Sequence, residues 1–379
     1  MELGTLSKWA KIKGIDLLGT GDFTHPGWIE EIEQTSTEDG SGFLDYNGQK
    51  FVLSAEISCI YTQGGRGRRV HHIVLSPSIE IAKQINDLLA KKGFNLKSDG
   101  RPIIGATSIE LAEIVFGVSD KNLLIPAHIW TPWFSVFGSK SGFDSLAECF
   151  GGLENKIYAI ETGLSSDPAM NWRISSIDNV QLLSNSDSHS PEKIGREANV
   201  FELKKMGYGE LYDAIRYKEK KKLLCTYEFY PEEGKYHYDG HRTCKVCLAP
   251  AETKKYGGIC PVCHRALTIG VMSRVEQLAD RPEGYRPKNA VPFESLVPLK
   301  EIIGQEMRKA PSSKAVDAEY FRLIKEFGNE FAALHASQQK LVAVAGKRLA
   351  GAISRVAKGK VKKSAGYDGE YGVISMFED

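Results

Sequence analysis

The segment LLIPAHIWTPW (residues 123–133) is the clearest guide to the fold. Its first four residues form a short apolar run of the length that a buried strand requires, and His128 follows that run after a single residue. Similar runs recur through about the first two hundred residues, each bounded by glycine, proline or polar residues, with helix-length amphipathic stretches between some of them. This alternation predicts an α/β fold.

The predicted strands and helices can be placed by number. The strands are expected at residues 15–18, 51–53, 70–75, 123–126, 157–160 and 180–183. The helices are expected at residues 78–92, 108–116, 208–222, 321–334 and 339–358.

Carboxylate and imidazole side chains follow these strands. Because the carboxyl ends of the strands in a strand-and-helix barrel meet at one face, residues distant in sequence become neighbours there. Mixed histidine and carboxylate ligands suit zinc, manganese or iron, and so rich a set predicts more than one ion. The residues concerned are Asp22, His25, Glu56, His128, Glu161, Asp187 and His189. His71 and His72 add an imidazole on another strand, where period-two alternation lets only one of them face the pocket.

Four of the seven cysteines form two C-x-x-C pairs separated by twelve residues. This spacing is typical of one tetrahedral zinc ion with a closed, structural ligand set. The predicted ligands are Cys244, Cys247, Cys260 and Cys263. His264 is a competing candidate, but adjacent residues rarely bind the same ion, so the four cysteines are preferred.

Candidate DNA contacts lie in three places. Trp130 and Trp133 occupy a loop after His128 and predict either stacking on a displaced base or core packing. The string GGRGRR (residues 64–69) carries three cations that suit either a phosphate site or a solvated hairpin tip, namely Arg66, Arg68 and Arg69. Residues 305–363 hold 13 Lys or Arg against 5 Asp or Glu, although the whole chain has a net charge of only +1. Lys347 and Arg348 are the phosphate contacts predicted there.

Several strings together resemble a known family. GTGDFTH (19–25), LSAEIS (53–58), VHHIVL (70–75), PAHIWTPW (126–133) and SNSDSHS (184–190) resemble motifs of the PHP superfamily of metal-dependent phosphoesterases. With YHYDGHRTC (236–244), CPVCH (260–264) and LTIGVMSRVEQLADRP (267–282), the chain resembles the endonuclease Q family over nearly its whole length.

The resemblance implies a fold, an activity and a set of ligands. It implies a distorted (β/α)7 PHP barrel that binds two or three divalent ions (Zn²⁺, Mn²⁺ or Mg²⁺), and an endonuclease that nicks DNA 5′ to deaminated bases such as uracil, hypoxanthine and xanthine or at abasic sites. The implied metal ligands are Asp22, His25, Glu56, His71, His128, Asp187 and His189. Asp22, Asp187 and His189 are the implied catalytic residues, and the family pattern favours His71 over His72.

One family feature is absent from the sequence. PHP domains open with a strand that carries His-x-His, and no His-x-His occurs in these 379 residues. The expectation is that the first barrel strand is missing, either through a truncated or mis-assigned start or through loss of function. This absence supports one alternative, a catalytically impaired zinc-containing DNA-binding protein. A second alternative, a PHP small-molecule phosphatase, follows from the PHP resemblance, and the four-cysteine module and the basic tail argue against it.

The expected organisation has three parts. Residues 1–225 form the barrel, residues 226–290 form a small zinc module, and residues 291–379 form a basic helical region that binds DNA. The chain has no apolar run of about 18 residues and no secretory signal, which predicts a cytoplasmic protein without membrane contact.

Overall fold

The structure is a computed structural model that describes residues 2–98, 100–218 and 222–377. It has the mixed α/β architecture that the sequence predicts. The strands of the amino-terminal part are β1 (Leu17–Gly19), β2 (Thr37–Glu38), β3 (Leu44–Tyr46), β4 (Gln49–Gln63), β5 (Arg66–Ser76), β6 (Ile103–Ile104), β7 (Leu123–Pro126), β8 (Ala159–Glu161), β9 (Gln181–Leu183), β10 (Ala198–Phe201) and β11 (Leu223–Phe229). The helices of this part are α1 (Leu3–Lys13), α2 (Pro26–Thr35), α3 (Ile79–Lys91), α4 (Ser108–Val118), α5 (Leu146–Phe150), α6 (Pro168–Asn171) and α7 (Tyr208–Arg216).

The rest of the chain is built from shorter strands and a group of helices. The strands are β12 (Asp239–His241), β13 (Val246–Leu248), β14 (Phe293–Leu296), β15 (Lys362–Ser364) and β16 (Val373–Ser375). The helices are α8 (Pro250–Lys255), α9 (Val271–Leu278), α10 (Leu299–Met307), α11 (Lys314–Phe327), α12 (Glu330–Leu334) and α13 (Gln338–Ala357).

The centre of the main sheet is a long antiparallel hairpin made by β4 and β5, which span 15 and 11 residues. Gly64 and Gly65 connect the two strands with φ values of 59° and 72°, a conformation that glycine adopts without steric cost. The hairpin departs from strict strand-and-helix alternation, and it extends well beyond the short runs predicted at residues 51–53 and 70–75. Strand β1 pairs parallel to β4, and β7 pairs antiparallel to β5.

The remaining strands continue the wall of the fold beside β7. The N–H of Ile129 donates to the carbonyl of Glu161 at 3.0 Å, which places the end of β7 against β8. Strand β8 pairs parallel with β9, and the Asn199 amide exchanges hydrogen bonds with the Ser184 backbone beyond β9. The turns after β7, β8 and β9 therefore lie next to one another.

A contiguous apolar core fills the space between the hairpin and the helices α3 and α4. Ile57 on β4 and Val74 on β5 are fully buried with Ile85 and Leu111 from the two helices. Each side chain of this size contributes roughly 1.5–3 kcal/mol when it is fully buried. The core thus fixes the hairpin that carries two of the candidate metal ligands.

The carboxyl-terminal helices form a second core around Ile302, Tyr320, Leu323 and Ile353. The single helix predicted at residues 321–334 is wrong, because α11 ends at Phe327 and α12 begins three residues later. Gly328 has a φ of 95°, and the side chain of Asn329 accepts a hydrogen bond from the N–H of Ala332, which caps the new helix. Helix α13 is kinked at Gly346, where φ is 81° and ψ is 162°.

A buried ion pair connects the first helix to these carboxyl-terminal helices. Lys13 Nζ lies 2.5 Å from Glu330 Oε2, and both side chains are only 6% exposed. The same carboxylate accepts hydrogen bonds from the Tyr320 hydroxyl and the Leu299 N–H.

The boundaries predicted at residues 225 and 290 remain predictions. Strand β11 crosses the first boundary and pairs with both β10 and β14, so one sheet includes residues from all three predicted parts. Within the described ranges, no helix has the length and apolar character needed to cross a membrane.

Candidate metal centre and DNA interface

Three predicted ligands meet at the hairpin and the end of β7. Glu56 lies opposite Ile73 in the β4–β5 register, and His71 lies opposite Ser58. Since alternate residues of a strand share a face, Glu56 and His71 are diagonal neighbours on the same face of the hairpin. His128 reaches this face from the turn that follows β7.

The three side chains form a compact group. His71 Nδ1 lies 2.9 Å from Glu56 Oε1 and 3.1 Å from His128 Nε2, and the distance from His128 Nε2 to Glu56 Oε1 is 3.4 Å. One carboxylate oxygen and two imidazole nitrogens within 4.8 Å of one another could hold a metal ion. This donor set fits a divalent ion such as zinc or manganese.

The electrostatics of the group favour a charged carboxylate. Burial raises the pKa of Glu56, but hydrogen bonds from His128 and His71 outweigh it and hold the pKa far below its usual range. Burial lowers the pKa of His128, yet Glu56, Glu161 and Asp187 together raise it above its ordinary value. Burial dominates at His71, whose pKa is lowered. The group can therefore offer an ionised carboxylate and a neutral imidazole.

His72 faces away from this group. Its Nε2 atom lies 2.9 Å from the Ser108 hydroxyl, and the side chain is fully buried. Burial lowers the pKa of His72 to about 3. The placement of the two imidazoles favours His71 as the ligand and gives His72 a role in packing.

Glu161 and Gly163 hold His128 in an uncommon backbone conformation. His128 has a φ of 28°, and its N–H donates to Glu161 Oε2 at 2.7 Å. A Cβ atom on Gly163 would lie 2.6 Å from His128 Cβ, so only glycine fits there. Asp22 and Asp187 also have positive φ values, 48° and 42°. Strained backbone of this kind concentrates at functional sites.

The other four predicted ligands lie outside the compact group. Asp22 and His25 belong to the segment between β1 and α2, where the N–H of Phe23 donates to the Ser54 carbonyl beside the Glu56 strand. Asp187 is one of the carboxylates whose charge raises the pKa of His128. His189 lies 3.4 Å from Asp187, and its side chain is 75% exposed. Their roles as ligands remain predictions.

Arg101 is a member of the site that sequence reasoning missed. Its Nη1 atom donates to Glu56 Oε1 at 2.7 Å and lies 3.0 Å from His71 Nδ1. No spacing rule identifies a single arginine. Only the pairing of β6 with β4 brings residue 101 close to Glu56.

The aromatic loop after His128 divides into buried and exposed residues. Trp130 is fully buried and its Nε1 donates to Asn171 Oδ1 at 2.8 Å, so the predicted DNA contact at Trp130 is wrong. The Phe134 ring lies 4.6 Å from the His71 ring. Trp133 is 37% exposed and meets Tyr236 edge to face at 5.6 Å. Trp133 remains available to stack on a base.

The three arginines of the β4–β5 hairpin also differ in exposure. Arg66 and Arg69 are exposed at the start of β5. Arg68 packs over the Phe143 ring at 4.1 Å and donates to the Gly142 carbonyl, so its guanidinium stabilises the aromatic loop. Arg66 and Arg69 are the better candidates for phosphate contacts.

Three of the four predicted zinc ligands converge in the structure, together with a histidine. The group that could hold an ion consists of Cys244, Cys260, Cys263 and His241, with His241 Nδ1 lying 3.4 Å from Cys263 Sγ. Cys247 lies outside this group, and its Sγ faces the Ala365 carbonyl at 4.0 Å. His241 is therefore a further candidate ligand, and the role of Cys247 stays a prediction.

The backbone conformation explains why His241 lies in this group. Lys245 and His264 each follow the second residue of a ligand pair, and both have left-handed φ values, 54° and 59°. The segment 241–244 thus has the spacing of the pair 260–263 and the same turn after it. The sequence signal was present as His-x-x-Cys, which overlaps the Cys-x-x-Cys at the shared Cys244.

Backbone N–H groups lower the pKa of the Cys260 thiol. Burial raises the pKa of Cys260, but the N–H groups of Cys263 and Val262 outweigh it and lower the pKa to about 7. A thiol with such a pKa readily becomes the thiolate that a metal requires.

The predicted phosphate contacts in the carboxyl-terminal region follow the kink of α13. Lys347 and Arg348 come directly after Gly346 and are exposed. Arg348 lies 4.0 Å from Glu306 and packs over the Phe377 ring. No acidic residue occurs between residues 331 and 367, so all the Lys and Arg side chains of this segment add to a net positive charge.

Comparisons with known proteins cover nearly the whole chain. The family model "MJ0043 C-terminal domain" matches residues 298–360. The uncharacterized protein YqxK of Bacillus subtilis is 31% identical over 370 residues, which cover 96% of this chain and 89% of that protein. The uncharacterized protein MJ0043 of Methanocaldococcus jannaschii is 34% identical over 254 residues, or 65% of this chain and 31% of that protein.

Two solved structures have the same fold. The lesion-specific endonuclease PfuEndoQ of Pyrococcus furiosus superposes with a TM-score of 0.88 and 31% identity over 99% of this chain and 90% of its own. Endonuclease Q bound to a 27-mer duplex with an abasic lesion at its active site superposes with a TM-score of 0.87 and 32% identity, over 100% and 92%.

Proposed function

The chain belongs to the endonuclease Q family, and on that premise we propose that it is a metal-dependent DNA repair endonuclease. Its proposed substrates are duplexes with uracil, hypoxanthine, xanthine or an abasic site, nicked on the 5′ side of the lesion. The observation that carries this proposal is the group formed by Glu56, His71 and His128, within a chain that matches endonuclease Q from end to end.

The proposed ligands form two sets. Glu56, His71 and His128 hold the first divalent ion, since their donor atoms already lie within 4.8 Å of one another. Asp22, His25, Asp187 and His189 complete the coordination of one or two further ions. Such ions supply Lewis-acid activation of the scissile phosphodiester.

The chain's own residues perform the remaining tasks. Glu161 fixes the backbone of His128, and the face of Phe134 against His71 limits access of water to that imidazole. Trp133 stacks on the displaced nucleotide, and Arg66, Arg69, Lys347 and Arg348 bind backbone phosphates. The proposed zinc site of His241, Cys244, Cys260 and Cys263 is structural, because four protein ligands leave no open position.

A nicking assay tests this function. The purified chain is incubated with Mn²⁺ and end-labelled duplexes that carry one uracil, hypoxanthine, xanthine or abasic site, beside an undamaged duplex. We expect a nick 5′ to the lesion that disappears with a chelator. Binding to damaged DNA without any nick would instead support the impaired DNA-binding alternative.

A matched pair of variants tests the site itself. Asp187→Asn removes a carboxylate charge beside His128 and keeps the side-chain shape, so nicking should be abolished while lesion binding is retained. Asp87→Asn makes the same change on the exposed side of α3 and should nick like the wild type. Equal nicking by the two variants would remove Asp187 from the site.

A further inference from the structure

Arg101 is built into the candidate metal centre by the backbone around it. The Ser58 N–H donates to the Pro102 carbonyl at 2.9 Å, and Ile103 pairs with Ser58 in the parallel β4–β6 bridge. These contacts fix the main chain directly after Arg101 at a position two residues beyond Glu56. The guanidinium therefore reaches Glu56 because the sheet holds it there.

The contacts of Arg101 use the same atoms that a metal ion would use. Its Nη1 lies 2.7 Å from Glu56 Oε1 and 3.0 Å from His71 Nδ1. A metal ion bound between Glu56 Oε1 and His71 Nδ1 would occupy the space that Arg101 Nη1 now fills, and both groups are positively charged. Binding of an ion to His71 Nδ1 must therefore displace the guanidinium from that atom.

The displaced side chain can move toward solvent. The Arg101 side chain is 29% exposed, against 20% for Glu56 and 6% for His71, so Arg101 lies at the open side of the group. A metal ion at Glu56 and His71 would repel the guanidinium toward that open side. An arginine matches phosphate oxygens with paired N–H donors and stays charged at every working pH.

We propose that a metal ion and Arg101 compete for Glu56 and His71, and that the released guanidinium then binds a non-bridging oxygen of the scissile phosphate. This inference rests on the proposed function. It makes Arg101 a catalytic residue that stabilises the negative charge of the transition state. It also sets an order, in which the metal binds before DNA is engaged productively.

A purely structural role for Arg101 gives the opposite prediction for metal binding. If the guanidinium only supported Glu56, its removal would disorder the carboxylate and weaken metal binding. If it competes with the ion, its removal frees His71 Nδ1 and eliminates a repelling charge. Metal affinity must then increase.

The experiment uses Arg101→Ala, Arg101→Lys and Lys97→Ala, the last being an exposed cation of the same connecting segment. Titration calorimetry with Mn²⁺ on metal-free protein should show tighter binding by Arg101→Ala, by about tenfold or more if one charge-assisted hydrogen bond is released. Nicking of abasic DNA by this variant should fall by about 10²–10³-fold, as on loss of one transition-state donor. Lys97→Ala should match the wild type in both assays.

A sulfur substitution locates the contact on the substrate. A phosphorothioate at the non-bridging oxygen that meets Arg101 should slow the wild type more than it slows Arg101→Ala. Arg101→Lys retains a cation, and should recover part of the nicking rate. Weaker metal binding in Arg101→Ala, or a wild-type nicking rate, would overturn the inference. Failure of the wild type to nick any lesion would refute the proposed function instead, and the calorimetric result would still decide the competition.

Discussion

His241 and Cys247 provide a direct test of which residues hold the ion of the cysteine-rich segment. We expect His241→Ala to lose one bound zinc ion per chain and Cys247→Ser to retain it. The two changes lie in the same β12–β13 hairpin, so each serves as the control for the other. The group of His241, Cys244, Cys260 and Cys263 predicts this result, because Cys247 Sγ lies beside the Ala365 carbonyl.

The size of the effect follows from the small core of this segment. Its buried apolar side chains are Val246, Cys260 and Leu267, which together contribute less than about 10 kcal/mol. A structural zinc ion contributes about 10–16 kcal/mol in small zinc-dependent folds, so loss of a ligand should unfold the segment.

Three measurements test which of these residues bind the zinc ion. Elemental analysis gives zinc per chain, limited proteolysis reports whether residues 241–267 remain folded, and the absorption of cobalt-substituted protein distinguishes three thiolate ligands from four. We expect cleavage within this segment in His241→Ala alone. Loss of zinc from Cys247→Ser with retention in His241→Ala would refute the assignment and restore the four-cysteine site.

Other perturbations test the buried ion pair, the aromatic loop and a buried acid. Lys13→Met leaves Glu330 buried without its cation and should lower the free energy of unfolding by about 3–5 kcal/mol. Lys11→Met removes an exposed cation of the same helix and should change this free energy little. Equal effects of the two variants in urea unfolding would contradict this prediction. Trp133→Ala should reduce nicking at uracil by about 5–150-fold, because stacking on a base is worth about 1–3 kcal/mol. Nicking at an abasic site should fall much less, because that site has no base to stack on. Equal losses at the two sites would indicate a packing role for Trp133. Burial raises the pKa of Glu233 to about 8, so the folded state holds this proton more tightly than the unfolded chain. Its stabilising contribution is complete below about pH 4.5 and is lost as the pH rises through about 8. Glu233→Gln should therefore gain up to about 5 kcal/mol over the wild type across that range, and parallel pH profiles in urea unfolding would disprove this.

Part of the metal centre could be predicted from the sequence, because side chains at the carboxyl ends of neighbouring strands lie close together. Glu56, His71 and His128 each belong to or follow a predicted strand, and the structure brings the three together. The signal gave no ranking among the remaining ligands, because the turns that carry Asp22 and Asp187 depend on positive φ values that spacing does not encode.

The errors have equally specific causes. Cys244 belongs to two overlapping x-x spacings, and the left-handed turn at Lys245, after which His241 joins the group, cannot be read from the spacing. Trp130 and Trp133 are three residues apart in one loop, yet one is buried and the other exposed, because exposure depends on how the loop folds back on the core. Arg101 enters the site through a two-residue strand, which is too short for any periodicity to reveal.

The contact between Lys13 and Glu330 also constrains how the protein acquires its fold during synthesis. The two residues are 317 positions apart, so the ribosome must add all of that chain before the first helix can meet its partner. At about 5–20 residues per second, this takes roughly 15–60 s. During that interval Trp9 and Ile12 of α1, which pack against the second core, lack part of their final cover. Docking of helix α1 on the carboxyl-terminal helices is therefore expected to be among the last folding events.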